Sequence, residues 1–208
     1  MSSFNFKKLT NQSSINYIKY ILLGRHVKVK SFESFLKNKK LIIADVGSTG
    51  GLSFLWNGLN KIILCYSFDP DSRAVELKEK NVKIFPVALW SSKKQLPLNL
   101  TKFPDASSLY APNNKLLSLF MNYDHHNVEK KIMIKTNTMD QVCCGYDLPD
   151  FIKLDAEGAD LEILKGSKNC IQNSCIGIQI EVQFIERNLG SPTFDKTNNF
   201  LQKQGFWL

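Results

Sequence analysis

No apolar run in this 208-residue sequence approaches the eighteen or more residues that a membrane-spanning helix needs. A secretory signal is missing as well. The longest early apolar stretch, Tyr20-Ile21-Leu22-Leu23, is too short for its hydrophobic region, and no small-residue cleavage site follows. The expected compartment is therefore the cytoplasm. Cysteine is sparse and odd in number. Cys65, Cys143, Cys144, Cys170 and Cys175 contain no C-x-x-C pair, which argues against a disulfide framework and a thiolate zinc site. The adjacent Cys143 and Cys144 read as inert thiols in a loop before Gly145. Internal repeats, low-complexity linkers and the dinucleotide signature G-x-G-x-x-G are absent too. What remains is 43% hydrophobic and 22% charged, in a chain long enough to bury one substantial core.

Charge is plentiful but lopsided. Residues 1–40 carry nine Lys or Arg against a single acid, Glu33, while the remaining basic and acidic side chains cancel, leaving the net +8 in the arm. The chain accordingly divides into a basic helical N-terminal extension, residues 1–40, and a domain over residues 41–208. In the arm, Ile15, Ile18, Ile21 and Leu22 recur at helical spacing, and Ser31 can cap a second helix burying Phe32, Phe35 and Leu36. Such an arm can draw the protein peripherally to an anionic membrane surface, or toward nucleic acid or an acidic glycan. It can equally be a packed extension with its lysines in solvent, and packing is expected to dominate.

From Leu41 the pattern changes. Leu41–Gly47 is a continuous apolar run closed by a turn, as a strand covered on both faces requires. Helices near 52–58 and 71–80 alternate with strands over 61–68 and 82–89, which predicts a parallel, doubly wound sheet. Gln95–Leu100 and Lys131–Thr136 are expected to pair as a hairpin. Residues 102–130 form a loop long enough to serve as a lid or substrate wall. A fourth strand over 151–154, a helix from about Ala159 to Lys165 stopped by Gly166, a fifth strand over 175–182 and a helix over 193–204 complete the sequence.

Two strand tips carry chemistry. The first opens into Asp45-Val46-Gly47-Ser48-Thr49-Gly50-Gly51, where glycines let backbone approach a ligand closely. Asp45 would repel a pyrophosphate but suits cationic amino and sulfonium groups. The second ends in Phe68-Asp69-Pro70-Asp71. A carboxylate there can accept both hydroxyls of a ribose; Asp69 lies at the tip, and Asp71 reads as a helix cap.

In this order the motifs resemble the FkbM-type methyltransferase family over roughly residues 41–206. The glycine loop is Asp45 to Ser53. The family's "FEP" is here Phe68-Asp69-Pro70, Val87-Ala88-Leu89 matches a segment bordering the adenine, and Ser107-Ser108-Leu109 matches a serine motif. Thr138-Met139-Asp140 is similar to "T-L-D", and Ile152 to Gly166 is similar to "K-I-D-V-E-G-A-E-x-x-V-L-K-G". Ile180-Glu181-Val182 corresponds to the fifth strand. The resemblance implies an α/β, doubly wound, mostly parallel Rossmann-like class I methyltransferase sheet. The chain stops at Leu208, where a sixth strand would begin, so the C-terminal hairpin of sixth and seventh strands is expected to be truncated.

The resemblance also implies S-adenosyl-L-methionine as cofactor and methylation of a hydroxyl on a sugar, polysaccharide or secondary metabolite. Asp45, Gly47, Ser48, Gly50, Gly51, Asp69, Ala88 and Asp155 are the candidate cofactor contacts. The hydroxyl's proton must be removed, and the candidates are Asp155 and Glu157 at the fourth strand's tip, or His125 and His126 from the long loop. Asp155 and Glu157 divide catalysis and cofactor contact in a way the sequence leaves open. No metal is expected, because Asp124, His125 and His126 lack a separated fourth ligand. Two alternatives stand beside this reading. One is an RNA methyltransferase, disfavoured because the arm has no RNA-binding module or aromatic stacking motif. The other is a non-enzymatic Rossmann-like binding protein.

Overall fold

A computed structural model describes residues 39–47, Trp56, Leu59, 61–71, Arg73, 81–121 and 123–207. The helices expected in the arm and near 52–58 and 71–80 fall largely outside them. Of the arm, Lys39 and Lys40 are described, and Lys40 Nζ donates to Asn81 Oδ1 at 3.1 Å.

β1 (Leu41–Val46) is buried from Ile42 onward, as its unbroken apolar run demands. β2 (Ile63–Phe68) is buried almost as completely. The single strand expected over 82–89 is two. Pro86 has no N–H to give a ladder, so β3 (Val82–Phe85) ends before it, and β4 (Ala88–Leu89) joins a different sheet. β5 (Gln95–Thr101) follows. The long loop then holds a 3-10 turn at Pro104–Ala106, the short helix α1 (Asn114–Leu117) and a second 3-10 turn at Tyr123–His126. After β6 (Val128–Asn137) come α2 (Met139–Val142), β7 (Phe151–Leu154) and α3 (Asp160–Lys165). α4 (Lys168–Asn173), β8 (Gly177–Ile180) and α5 (Phe194–Lys203) close the order. Cys143, expected in a loop, is instead the C-cap of α2 and is buried in the core, whereas Cys144 is exposed.

The main sheet has five parallel strands in the order β3-β2-β1-β7-β8. This is the Rossmann-like α/β architecture expected. The chain steps outward from β1 to β3 and later returns to β7 on β1's other side. A crevice therefore opens beyond the carboxyl ends of β1 and β7, where such sheets bind their ligands. The second sheet, β4-β6-β5, contains the expected hairpin, with β5 antiparallel to β6 from Gln95 opposite Lys135 to Leu100 opposite Lys130. Tyr66, Phe68, Ile152, Leu154, Ile163 and Leu164 meet in one core cluster, and burying each large apolar side chain contributes roughly 1.5–3 kcal/mol. Among the described residues no named strand follows β8; α5 leads to Phe206, which is buried in that cluster. Among the same residues no helix is long and apolar enough to cross a membrane.

Candidate functional site

The crevice is built where the tips of β1 and β7 come closest. Gly47 turns there with φ 71°, and its N–H donates to Phe68 O at 3.0 Å. A Cβ on Gly47 would sit 1.8 Å from Asp155 O, so only glycine lets the two tips approach this far. Ser48, Gly50 and Gly51 lie outside the described residues.

Asp45 is held at the end of β1 by Lys153. It is 1% exposed and borders neither of the cavities described below. The cation it faces is Lys153, whose Nζ lies 3.2 Å from Asp45 Oδ1. Burial raises the Asp45 pKa, with Lys153 pulling against it. The same ammonium stands 3.5 Å from Asp155 Oδ2 and donates to Gly47 O at 3.1 Å. Lys153 therefore ties the ends of both strands to the turn between them.

A narrow cavity of about 60 Å³ lies against the tips of β2 and β4. Its apolar walls include Phe68, Leu89, Leu109 and Ile163, with Ala88 between, and Asp69 stands in its rim. Asp69 Oδ1 accepts from Asp71 N at 2.8 Å. Asp71 is otherwise engaged: it accepts from Arg73 N at 3.0 Å and pairs with the Arg73 guanidinium at 2.6 Å. Burial opposes ionisation of Asp71, but the Arg73 hydrogen bonds prevail and hold its pKa below the usual value. Arg73 continues to Thr101 O and Ser107 Oγ, fastening this rim to β5 and the long loop.

The segment after β7 explains why Asp155-Ala156-Glu157-Gly158-Ala159-Asp160 is written as it is. Asp160, at the start of α3, turns its buried carboxylate back to accept from Ala156 N at 3.0 Å and Gly158 N at 3.1 Å. Burial pushes its pKa up to about 6 despite those hydrogen bonds. Between them Glu157 adopts φ 48°, a left-handed conformation costly for a residue with a side chain. Two donors hold it there: Ser108 Oγ and Asn188 Nδ2 each reach Glu157 O at 2.8 Å. Ser108 is delivered by Asn99 on β5, which pairs with it through the backbone and donates its side-chain amide to Ser108 O and Tyr110 O.

This strained turn aims Glu157 into a second, polar cavity of about 350 Å³. The cavity shares Gly47, Asp105 and Asp155 with the first, so the two are contiguous at the β1–β7 crevice. Carboxylate oxygens of Asp155, Glu157 and Glu181 lie within 4.8 Å of one another. Arg187 stands among them, its guanidinium 3.7 Å from Glu157, 3.8 Å from Glu181 and 3.5 Å from His126 Nε2. Burial pushes Glu157 up to about 6, Arg187 pulling it down. Burial also lifts Glu181, helped by Asp155 and Glu157, to about 7. His126 is lowered by burial and then by Arg187. His125 stacks on Phe103 with centroids 4.0 Å apart.

Asp155, Glu157, His125 and His126 thus line one cavity, and the long loop is its wall. The carboxylates spaced for a shared cation, among the described residues, are Asp155, Glu157 and Glu181, and the Arg187 guanidinium already serves two of them. Asp124 lines neither cavity and faces Lys102 at 3.8 Å. Sequence reasoning did not single out Lys153, Asp105, Glu181 or Arg187 for the site. Glu181 had a signal, since it follows β8 as Asp155 follows β7, at the end of a parallel strand where ligands collect. Arg187 sits in irregular chain and had none.

A family model for the methyltransferase FkbM domain matches residues 52–208. The crystal structure of Methyltransferase FkbM from Methylobacillus flagellatus KT is similar to this chain at 15% identity and a TM-score of 0.48, covering 94% of this chain and 50% of that one. The chain therefore spans about half the length of that protein. No curated protein matches it. The family match takes in well over half of the sequence, and the chain belongs to the FkbM methyltransferase domain family.

Proposed function

We propose that this chain is an S-adenosyl-L-methionine-dependent methyltransferase that methylates a hydroxyl on an uncharged polar acceptor, a sugar, polysaccharide or secondary metabolite. The observation that carries this is the pair of contiguous cavities meeting at Gly47 and Asp155. The donor chemistry of the first suits an adenosyl group: apolar faces at Ala88, Leu89 and Leu109 for the base, and the Asp69 carboxylate for ribose hydroxyls. When bound, the cofactor supplies an electrophilic methyl; a carbon–oxygen bond forms as the carbon–sulfur bond breaks, and that pair stays on sulfur. The protein's share is to align the acceptor oxygen and take its proton.

The second cavity argues for an acceptor without negative charge. Asp105, Asp155, Glu157 and Glu181 face it against Arg187 and a Lys153 already committed to Asp45. A polyanion such as RNA would meet repulsion there. Binding without turnover would favour the non-enzymatic alternative. The lysines of the basic arm, expected in solvent outside its packed apolar residues, would attract the protein to an anionic membrane surface, with binding to acidic vesicles that weakens as salt rises.

The test begins with calorimetry on the full chain. S-adenosylhomocysteine is expected to bind and raise the melting temperature, and NAD to do neither. Labelled S-adenosylmethionine offered with glycan, lipid-linked sugar and RNA pools should mark the first two. Binding of NAD without response to S-adenosylhomocysteine would overturn the proposal.

A further inference from the structure

Resting on the methyltransferase reading, the geometry points to Glu181 as the catalytic residue that takes the acceptor's proton, with Asp155 as the neighbouring charge that makes it basic and Arg187 as the positioning cation. Glu181 and Asp155 are placed by the sheet itself. β7 and β8 run parallel with Leu154 opposite Ile180, so the next residue of each strand emerges side by side into the polar cavity. Glu181 N–H donates to Leu154 O at 3.0 Å, and Asp155 N–H to Val46 O at 3.1 Å, fixing both backbones at the crevice.

The other candidates are worse placed to receive a proton. Glu157 is deeper, its side chain 13% exposed against 42% for Glu181, and its Oε2 is closed off from solvent beside Arg187. Asp155 answers to Lys153 at 3.5 Å. His126 has its Nε2 turned toward a guanidinium, which opposes the positive charge that accepting a proton would create. His125 is engaged with the Phe103 ring. Glu181 opens to the cavity, faces two like charges and keeps one cation 3.8 Å away. A carboxylate crowded by like charges holds a proton more firmly, which raises its strength as a base near neutral pH. In the step, the acceptor O–H bond breaks, its electron pair stays with the oxygen that bonds to the methyl, and the proton moves to a Glu181 carboxylate oxygen. The charged and titratable groups that face Glu181 across the cavity are Lys153 from β7, Asp155 and Glu157 from the turn after it, Arg187 from the chain after β8, and Asp105, His125 and His126 from the long loop; burial, Asp155, Glu157 and Arg187 set its titration.

The experiment is a carboxyl-carbon NMR titration of the full chain carrying labelled glutamate, alone and with Mg²⁺, paired with S-adenosylhomocysteine calorimetry. One glutamate should titrate near pH 7, vanish in Glu181→Gln and move to lower pH in Asp155→Asn. Glu181→Gln should bind S-adenosylhomocysteine within about twofold of the parent, and any transfer to a labelled pool should fall about 10²–10⁴-fold. Titration of Glu181 below about pH 5, or a midpoint indifferent to Asp155→Asn, overturns the assignment. So does Mg²⁺ binding that Glu181→Gln abolishes, which would make the cluster a cation site. Failure to bind S-adenosylhomocysteine in the parent, by contrast, sinks the methyltransferase reading and leaves the titration result standing by itself.

Discussion

At the level of single residues, Lys153 illustrates how one side chain serves both stability and the site. Its Nζ is shared by Asp45, Asp155 and Gly47 O, and its side chain is 13% exposed. A buried aspartate without its partner is far more costly than the pair is favourable, because the remaining charge keeps its desolvation and loses its compensation. Lys153→Met should therefore destabilise the domain by about 3–5 kcal/mol. Adding Asp45→Asn should return at least half of that loss, since the uncompensated charge is gone. Denaturant unfolding of the two single variants and the double checks this. Simple additivity of the two losses would show that the ion pair carries no coupling.

Among the secondary-structure elements, the parts legible in the sequence were those whose pattern and burial coincide. β7 is buried at Phe151, Ile152 and Leu154, and α3 at Asp160, Leu161, Ile163 and Leu164, so apolar spacing marked both. The β5–β6 hairpin was readable because Leu96, Leu98 and Leu100 alternate along β5 as Ile132 and Ile134 do along β6, although burial follows that alternation only in part. α4 was missed because it is one short polar stretch, Lys-Asn-Cys-Ile-Gln-Asn, with two buried residues and too little length to show a period. The candidate site was legible where chemistry follows a strand tip, as at Asp69 and Asp155. It was not legible where tertiary contact alone brings a residue in, as at Arg187. Gly166 shows a right boundary with a different cause. It ends α3 as expected, yet with φ −84°, so no left-handed cap requires glycine. A Cβ there would lie 2.1 Å from Trp90 O. Gly166→Ala should thus destabilise the fold by about 1–3 kcal/mol through overpacking against backbone, although alanine is the better helix former. An unchanged melting temperature would mean that the β4 end yields without cost.

For the whole molecule, the carboxylic acids whose pKa folding raises set how stability responds to pH. Folding raises Glu157 from 4.5 to about 6, Asp160 from 3.8 to about 6 and Glu181 from 4.5 to about 7, burial being the leading cause in each. Between those values the folded protein binds more protons than the unfolded chain, so stability falls as pH rises. Their contribution is fully present below about pH 4 and is lost as pH climbs through 6 to 7. His126 opposes them: its folded value is lowered, so the unfolded chain takes that proton first and stability drops as pH falls below 6.5. Asp71 and Glu162, whose values are lowered, contribute above their unfolded values and lose that only in stronger acid. Glu157, Asp160 and Glu181, joined by Asp45, whose value burial also raises, outweigh one lowered histidine and leave a net gain on going from pH 7.5 to 5. After allowing for the solvent exposure of Glu181, this gain is on the order of 1–3 kcal/mol. The melting temperature should accordingly rise over that interval, and Glu157→Gln should flatten the slope by removing one of those protons. A parent melting temperature that falls steadily from pH 7.5 to 5 would mean the carboxylates are better solvated than their burial implies. The carboxylates that destabilise the fold at neutral pH are those gathered around the polar cavity and the turn beneath it.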